Sequence, residues 1–127
     1  MRALVIDDSR AMRRIVTGIL EGLGYEVRGA GHGREGLDVL DDGWVPDLAC
    51  VDWNMPVMDG LQFVSAVRSN PAYRSVTIMM VTSESEHTQI VKALAAGAHE
   101  YVIKPFTADA IRDKLALLGL LPQEVVL

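Results

Sequence analysis

Residues with charged or nucleophilic side chains follow four of the apolar stretches in this sequence. They are Asp7 and Asp8, then Asp52, then Thr82, and finally Lys104 followed by Pro105. In a parallel sheet wound with helices, the carboxyl ends of the strands share one edge, and ligands bind there. If the apolar stretches are strands of such a sheet, three carboxylates, a hydroxyl group and an amine meet in one pocket. This combination is typical of a magnesium-dependent site that accepts a phosphoryl group.

The three carboxylates are suited both to a magnesium ion and to covalent chemistry. Mg²⁺ prefers oxygen ligands in octahedral geometry and is usually held by one or two carboxylates together with water and phosphate oxygens. Without a cation, Asp7, Asp8 and Asp52 would repel one another, and at least one pKa would rise. A carboxylate can also be a nucleophile that forms an aspartyl-phosphate. Lys104 and the Thr82 hydroxyl are suited to neutralising and binding the phosphoryl oxygens.

None of these motifs is specific by itself. Adjacent aspartates are common at helix starts, and Lys104-Pro105 alone indicates only a turn, with a cis peptide bond as one option. The order of the motifs at the ends of four predicted strands is what indicates a shared site.

The composition indicates one globular domain without a nucleic-acid or membrane role. The chain has 127 residues, half of them hydrophobic, which is enough for a buried core. Its net charge of −5 argues against direct contact with nucleic acid, which requires a basic surface. No apolar stretch approaches the roughly 18 residues of a membrane span, and the start of the chain does not resemble a signal peptide. A single cysteine, Cys50, fits a reducing compartment. We therefore expect a cytoplasmic protein with no membrane insertion.

Strand and helix patterns alternate five times, which predicts βαβ units and a parallel sheet. The predicted strands cover approximately residues 2–6, 25–29, 47–52, 77–82 and 99–103. The predicted helices cover approximately residues 9–23 and 34–40, a stretch that begins at residue 59, and residues 83–96 and 107–118. Polar side chains are predicted to cap the first helix and the last three: Ser9 or Asp8, Asp59 with Gln62 in a capping box, Ser83 with Glu86, and Thr107. The predicted fold class is α/β, with a doubly wound, flavodoxin-like five-stranded parallel sheet of order 2-1-3-4-5 in a three-layer α/β/α sandwich. A single domain is expected to span residues 1–127, with a core of 2–118 and an apolar C-terminal tail of 119–127.

The first helix is predicted to be amphipathic. Its apolar residues recur at helical spacing and are expected to face the core: Ala11, Met12, Ile15, Val16, Ile19 and Leu23. The other side is expected to carry Arg10, Arg13, Arg14 and Thr17.

As a whole, the sequence resembles the receiver domains of two-component response regulators, and within that family the stand-alone, CheY-like chemotaxis regulators. The resemblance covers about residues 2–118. It rests on specific motifs, which are Asp7-Asp8, the segment from Asp52 to Gly60, Thr82, and Lys104-Pro105-Phe106 with Tyr101 upstream.

This resemblance implies a role for each residue of the site. Asp52 would accept a phosphoryl group from the phosphohistidine of a histidine kinase. Asp8 and Asp52 would coordinate Mg²⁺ directly, together with the backbone carbonyl of Asn54, and Asp7 would act partly through water. Lys104 would pair with the phosphoryl oxygens. The protein would catalyse only its own phosphorylation and dephosphorylation and would not be an enzyme in the ordinary sense.

The resemblance also implies how the phosphoryl group is sensed and lost. Thr82 would hydrogen-bond the phosphoryl group, and Tyr101 would turn inward behind it. Asn54 and Glu84 would tune dephosphorylation, and this pair indicates a state that lasts seconds to minutes. The output surface would consist of the fourth helix, the fifth strand and the fifth helix. Its partner would be a flagellar motor switch protein or a phosphotransfer protein.

Three other interpretations stay open at this stage. The chain could be a relay receiver that passes phosphate to a histidine phosphotransfer protein, or the receiver half of a longer regulator. It could also be a magnesium-dependent phosphatase with an aspartyl nucleophile, of the haloacid dehalogenase type. That class requires Asp-x-Asp after its first strand, whereas Asp7 and Asp8 are adjacent.

Overall fold

The computed structural model describes residues 1–83 and 87–121, and of residue 87 only the backbone. In this part of the chain, five strands alternate with five α-helices. The strands are β1 (Arg2–Ile6), β2 (Glu26–Ala30), β3 (Leu48–Asp52), β4 (Thr77–Ser83) and β5 (Glu100–Lys104). The helices are α1 (Arg10–Gly22), α2 (Gly33–Asp41), α3 (Gly60–Arg68), α4 (His87–Ala96) and α5 (Ala108–Leu117), with a short 3₁₀ turn at Pro71–Tyr73.

All neighbouring strands are parallel, and their order is β2-β1-β3-β4-β5. This confirms the predicted topology, in which the order reverses between β1 and β3. In the register, Ile6 lies opposite Val51, and Asp52 lies opposite Val81. The residues that follow β1, end β3 and end β4 therefore reach the same edge of the sheet.

The sheet is covered on both faces, which gives the predicted three layers. One face of β3 contributes Ala49 and Val51 to a core with residues of α2, α3 and α4, among them the fully buried Phe63. The other face contributes Leu48 and Cys50 to a core with α1 and α5. Burial on both faces explains why the central strands are almost wholly apolar until their ends.

Short polar side chains start α1, α3 and α5 at the predicted positions. The hydroxyl of Ser9 accepts a hydrogen bond from Met12 N at the start of α1, and Thr107 Oγ1 accepts one from Ala110 N at the start of α5. Asp59 and Gln62 form the predicted reciprocal capping box of α3. Each cap satisfies backbone N–H groups that have no partner within their own helix. The predicted cap of α4, which involves Glu86, lies outside the described residues.

The predicted face of α1 is partly wrong. Ile15, expected in the core, is 52% exposed, whereas Arg13, expected in solvent, is partly buried. The buried residues of α1 are Val16 and Leu20. Arg13 lies three residues before Val16 and seven before Leu20, so these residues share one helix face. Leu20 was not among the predicted core residues of this helix. Its burial turns the core-facing side of α1 toward Arg13 and away from Ile15.

The start of the predicted C-terminal tail packs on the domain. Leu120 and Leu121 lie against the core between α1 and α5, and the Tyr25 hydroxyl donates a hydrogen bond to the carbonyl of Leu120. Residues 122–127 of the predicted tail lie outside the described part of the chain. Among the described helices, none combines the length and the apolar character needed to cross a membrane.

Candidate functional site

The carboxylates of Asp7, Asp8 and Asp52 converge at the carboxyl edge of the sheet. Asp52 ends β3, and Asp7 directly follows β1, its neighbour in the sheet. Asp7 and Asp52 are buried, whereas Asp8 is exposed. One oxygen of each carboxylate can be chosen so that all three atoms lie within 4.8 Å of one another. The sequence therefore predicted correctly that these three residues lie together.

Lys104 forms ion pairs with two acids of this cluster. Its ammonium nitrogen lies 3.2 Å from Oδ1 of Asp52 and 3.6 Å from Oδ2 of Asp7. Lys104 is the last residue of β5, and the peptide bond that joins it to Pro105 is cis. β5 is two strands away from β3, so the long Lys104 side chain spans the end of β4 to reach Asp52. Asp52, the candidate acceptor, thus has one cation and two further acids close to it.

Burial and crowding raise the pKa of Asp52 to about 6. The largest cause is loss of solvent around the carboxylate, and the charge of Asp7 adds to it. Lys104 and a backbone hydrogen bond from Trp53 oppose the increase. The negative charge of Asp52 is therefore incompletely balanced by the protein, which favours binding of a further cation.

Asp7 is fixed through both its backbone and its side chain. Its N–H donates to the carbonyl of Ala30 at 3.1 Å. Its Oδ1 accepts the N–H of Ser9 at 2.9 Å. Its own carbonyl accepts a hydrogen bond from Arg13 Nη1 at 2.6 Å. Arg13 was not among the predicted site residues, although its spacing to Val16 and Leu20 places it on the buried side of α1.

The loop that follows Asp52 is held close to the acceptor. Gly60 N donates to the carbonyl of Trp53 at 2.9 Å. A Cβ atom at Gly60 would lie only 2.5 Å from the carbonyl oxygen of Asp52, so this close approach requires glycine. Asn54, the predicted source of a carbonyl ligand, is exposed at the start of the loop. Met55 and Met58 pack against the core.

The two predicted switch residues lie on neighbouring strands. Thr82 is buried at the end of β4, and its hydroxyl donates to the carbonyl of Ser83 at 3.5 Å, a long contact. Tyr101 in β5 is partly exposed, and the ammonium group of Lys114 lies 4.8 Å from its ring centre. Tyr101 and Lys114 border a cavity of about 340 Å³ between β5 and α5. Glu84, the predicted residue for tuning dephosphorylation, lies outside the described residues.

The donor set fits a magnesium ion. Carboxylate oxygens are the hard ligands that Mg²⁺ prefers, and Asp8 is exposed, which leaves room for the water molecules that this ion retains. Across the described residues, no ligand set of the soft type, with clustered cysteine and histidine, accompanies these acids.

The chain belongs to the response regulator receiver domain family, whose family model matches residues 3–116. Its fold and the acids at the sheet edge are those of a CheY-like receiver domain of two-component signalling. The chain is 41% identical over 119 residues to the chemotaxis protein CheY1 of Helicobacter pylori, covering 93% of this chain and 96% of that protein. It is 38% identical over 116 residues to the chemotaxis protein CheY of Pseudomonas aeruginosa, covering 91% of this chain and 93% of that protein.

A solved structure supports the same assignment. The chemotaxis response regulator CheY4 of Vibrio cholerae superposes with a TM-score of 0.84 and 35% identity, covering 92% of this chain and 97% of that chain. Family membership favours the receiver interpretation over the phosphatase interpretation.

Proposed function

We propose that Asp52 accepts a phosphoryl group from the phosphohistidine of a histidine kinase in a magnesium-dependent reaction. The observation that carries this proposal is the mixed-charge environment of Asp52. Its carboxylate lies 3.2 Å from the ammonium nitrogen of Lys104 and close to the carboxylates of Asp7 and Asp8. Phosphoryl transfer requires positioning and neutralisation of charge more than covalent help from the protein.

In the proposed step, one carboxylate oxygen of Asp52 forms a bond to phosphorus while the P–N bond of the phosphohistidine breaks. The electron pair of that bond stays on the imidazole nitrogen of the donor. The new acyl phosphate carries nearly two negative charges. Lys104 pairs with its oxygens, because the ammonium group already lies beside Oδ1 of Asp52. Thr82 donates its hydroxyl hydrogen to another phosphoryl oxygen.

Mg²⁺ would be held by Asp8 and Asp52 and by the backbone carbonyl of Asn54, with Asp7 acting partly through water. When bound, the ion neutralises charge on the transferring phosphoryl group. Asp7 is ion-paired with Lys104 at 3.6 Å, which supports an indirect role for it. Asp8 is exposed and faces no competing cation among the described residues, which supports a direct role.

The output proposed for this site is a change of protein binding at the surface formed by α4, β5 and α5. Thr82 and Tyr101 would report the phosphoryl group to this surface, where the cavity beside Tyr101 already lies between β5 and α5. The partner needs to bind the two states differently. Because the similar proteins are named chemotaxis proteins, we propose a chemotaxis role, with a motor switch protein as target. A cytoplasmic location and a single domain over residues 1–127 are part of this proposal.

Asn54 and Glu84 are proposed to set the lifetime of the phosphoryl group by helping or hindering the attacking water. The expected lifetime of the purified phosphoprotein is seconds to minutes. A lifetime of hours would contradict this part of the proposal and leave the acceptor role of Asp52 untouched.

The experiment that tests the central proposal is labelling by acetyl phosphate, with Mg²⁺ and with EDTA. Wild-type protein should be labelled only with Mg²⁺, and Asp52→Asn should not be labelled. Asp113→Asn, which removes an exposed carboxylate on α5, is the matched control and should behave as wild type. Equal labelling of Asp52→Asn and wild type would overturn the assignment of the acceptor.

A further inference from the structure

Arg13 reaches from α1 across the end of the sheet to the turn that carries the two aspartates. Its Nη1 donates a hydrogen bond to the main-chain oxygen of Asp7 at 2.6 Å. A hydrogen bond from a charged donor is roughly twice as strong as a neutral one. Arg13 contacts the backbone of Asp7, so it leaves both oxygens of the carboxylate available for other partners.

This hydrogen bond is expected to matter more for the position of Asp8 than for that of Asp7. The carboxylate of Asp7 is already held by Ser9 N and by Lys104. The carboxylate of Asp8 is exposed and makes no hydrogen bond or ion pair with the described part of the chain. The peptide group between the two residues is planar, so a fixed Asp7 carbonyl also fixes the orientation of the bond from the Asp8 nitrogen to the Asp8 Cα. Among the contacts of the described residues, the Arg13 bond is the one made to this carbonyl.

Two glycines leave the path of the Arg13 side chain open. A Cβ atom at Gly29 in β2 would lie 3.6 Å from Arg13 Cδ, and one at Gly31 would lie 3.7 Å from Arg13 Nη1. These distances are ordinary contacts, so alanine fits at either position. A side chain that extends beyond Cβ at Gly29 would occupy the space that Arg13 crosses.

We infer that Arg13 is a positioning residue for the magnesium site, because it orients the Asp7–Asp8 peptide and with it the Asp8 carboxylate. This inference rests on the proposed function, since it concerns the same metal site. It adds a residue that contacts neither the metal nor the phosphoryl group. Partners behind metal ligands commonly contribute to affinity in this way.

The first test measures Mg²⁺ affinity by titration of Trp53 fluorescence in a Trp44→Phe background. Trp53 is buried directly after Asp52, which makes it a local reporter. Arg13→Met should weaken Mg²⁺ binding about tenfold. Arg10→Met and Arg14→Met remove the same charge from exposed positions of α1 and should change the affinity less than about twofold. Equal weakening by all three variants would show a general charge effect and overturn the inference.

A second variant tests the same geometry without changing Arg13. Gly29→Val should displace the arginine side chain and weaken Mg²⁺ binding in the same direction, whereas Gly29→Ala should bind as wild type. Valine suits a strand, so loss of folding is not the expected result. Unchanged affinity in both Arg13→Met and Gly29→Val would refute the inference.

Labelling by acetyl phosphate separates positioning from a direct part in the chemistry. At limiting Mg²⁺, Arg13→Met should be labelled about tenfold more slowly than wild type, and saturating Mg²⁺ should restore the rate. A slow rate that persists at saturating Mg²⁺ would exclude a role through the metal site alone. If wild-type protein neither binds Mg²⁺ nor accepts label, the proposed function itself fails. Normal labelling of wild type with no difference in Arg13→Met rejects only the inference about Arg13.

Discussion

The ammonium group of Lys104 lies 3.2 Å from Oδ1 of Asp52, a residue 52 positions earlier in the chain. This contact joins the ends of β3 and β5 across β4. Lys104 lies 3.6 Å from Asp7 as well, so a single cation partly compensates two buried acids. In the free protein, burial and the charge of Asp7 therefore raise the pKa of Asp52, and Lys104 lowers it.

Removal of Lys104 should disturb this balance. In Lys104→Met, the pKa of Asp52 should rise above its value of about 6, because the favourable charge and hydrogen bond are lost. The expected increase is roughly one unit. Carboxyl ¹³C NMR titration in EDTA measures it, and Lys92→Met, which removes an exposed ammonium group from α4, is the control. An unchanged titration of Asp52 would contradict the assigned role of the ion pair.

Asp52 should make the metal-free protein less stable at neutral pH. Its folded pKa of about 6 lies above the ordinary value, so the folded protein keeps a proton that the unfolded chain has lost between about pH 4 and 6. The free energy of unfolding thus falls as pH rises through this window. Asp52→Asn should be more stable than wild type at pH 7.5 in EDTA by on the order of 2 kcal/mol.

Urea unfolding at pH 7.5 and pH 4 tests the effect of Asp52→Asn. The gain in the free energy of unfolding should be smaller at pH 4, where the wild-type carboxyl group is protonated. It should also be smaller at pH 7.5 when Mg²⁺ is added. Asp113→Asn is the control for loss of one exposed charge. A gain that is equal at both pH values would mean that ionisation of Asp52 is not its cause.

Asp8 should matter for metal binding and little for stability. Its side chain is exposed, so Asp8→Asn should change the free energy of unfolding in EDTA by less than about 0.5 kcal/mol. The same variant should weaken Mg²⁺ binding at least about tenfold, because a charged ligand is lost. Trp53 fluorescence and urea unfolding measure the two effects. Wild-type affinity in Asp8→Asn would remove this residue from the metal site.

The topology and the clustering of acids could be predicted from the sequence because both follow from local patterns. Apolar stretches that end in polar residues mark strand ends, and parallel strands bring those ends to one edge. Asp7, Asp8 and Asp52 meet as predicted for this reason. Neither prediction depends on the conformation of a side chain.

The contacts that long side chains make were not predictable in the same way. Arg13 was placed in solvent with the other polar residues of α1, because Leu20 was not counted in the core stripe. The two ion pairs of Lys104 depend on how far its side chain extends across β4. The positive φ of Val57 is set by the surrounding loop, since a β-branched residue disfavours this conformation. Such features depend on tertiary structure and leave little trace in local sequence.

Gly60 should be intolerant of substitution, in contrast to Gly18. A Cβ atom at Gly60 would meet the Asp52 carbonyl oxygen at 2.5 Å and Trp53 Cα at 3.1 Å, both of them backbone atoms that cannot move aside easily. Gly60→Ala should destabilise the protein by about 1–3 kcal/mol and slow labelling of Asp52. Gly18→Ala, with open space around it in α1, should stabilise the protein by about 0.5–1 kcal/mol. Thermal unfolding compares the two, and equal tolerance would show that the loop can move away from the acceptor.

Arg68 should contribute to the lowered pKa of His99, which lies at the edge of the sheet opposite the three acids. The Arg68 guanidinium donates to the carbonyls of Gly97 and Val76, and its Nη2 lies 3.2 Å from His99 Nδ1. That nitrogen also accepts the N–H of Ile78 at 3.2 Å, which a protonated ring cannot do. Partial burial and the charge of Arg68 both lower the pKa of His99. In Arg68→Met the pKa of His99 should therefore rise, as imidazole NMR titration would measure.

The sign of the effect of His99 on stability follows from its lowered pKa. Below the ordinary value of about 6.5, the unfolded chain binds a proton that the folded protein resists, so stability is lost as pH falls through this window. Comparison of wild type with His99→Gln isolates this loss, because the contribution of Asp52 is common to both. Arg74→Met, which removes an exposed guanidinium nearby, should leave the His99 titration unchanged. A shift as large as that in Arg68→Met would mean that net charge, and not the Arg68 contact, lowers the pKa of His99.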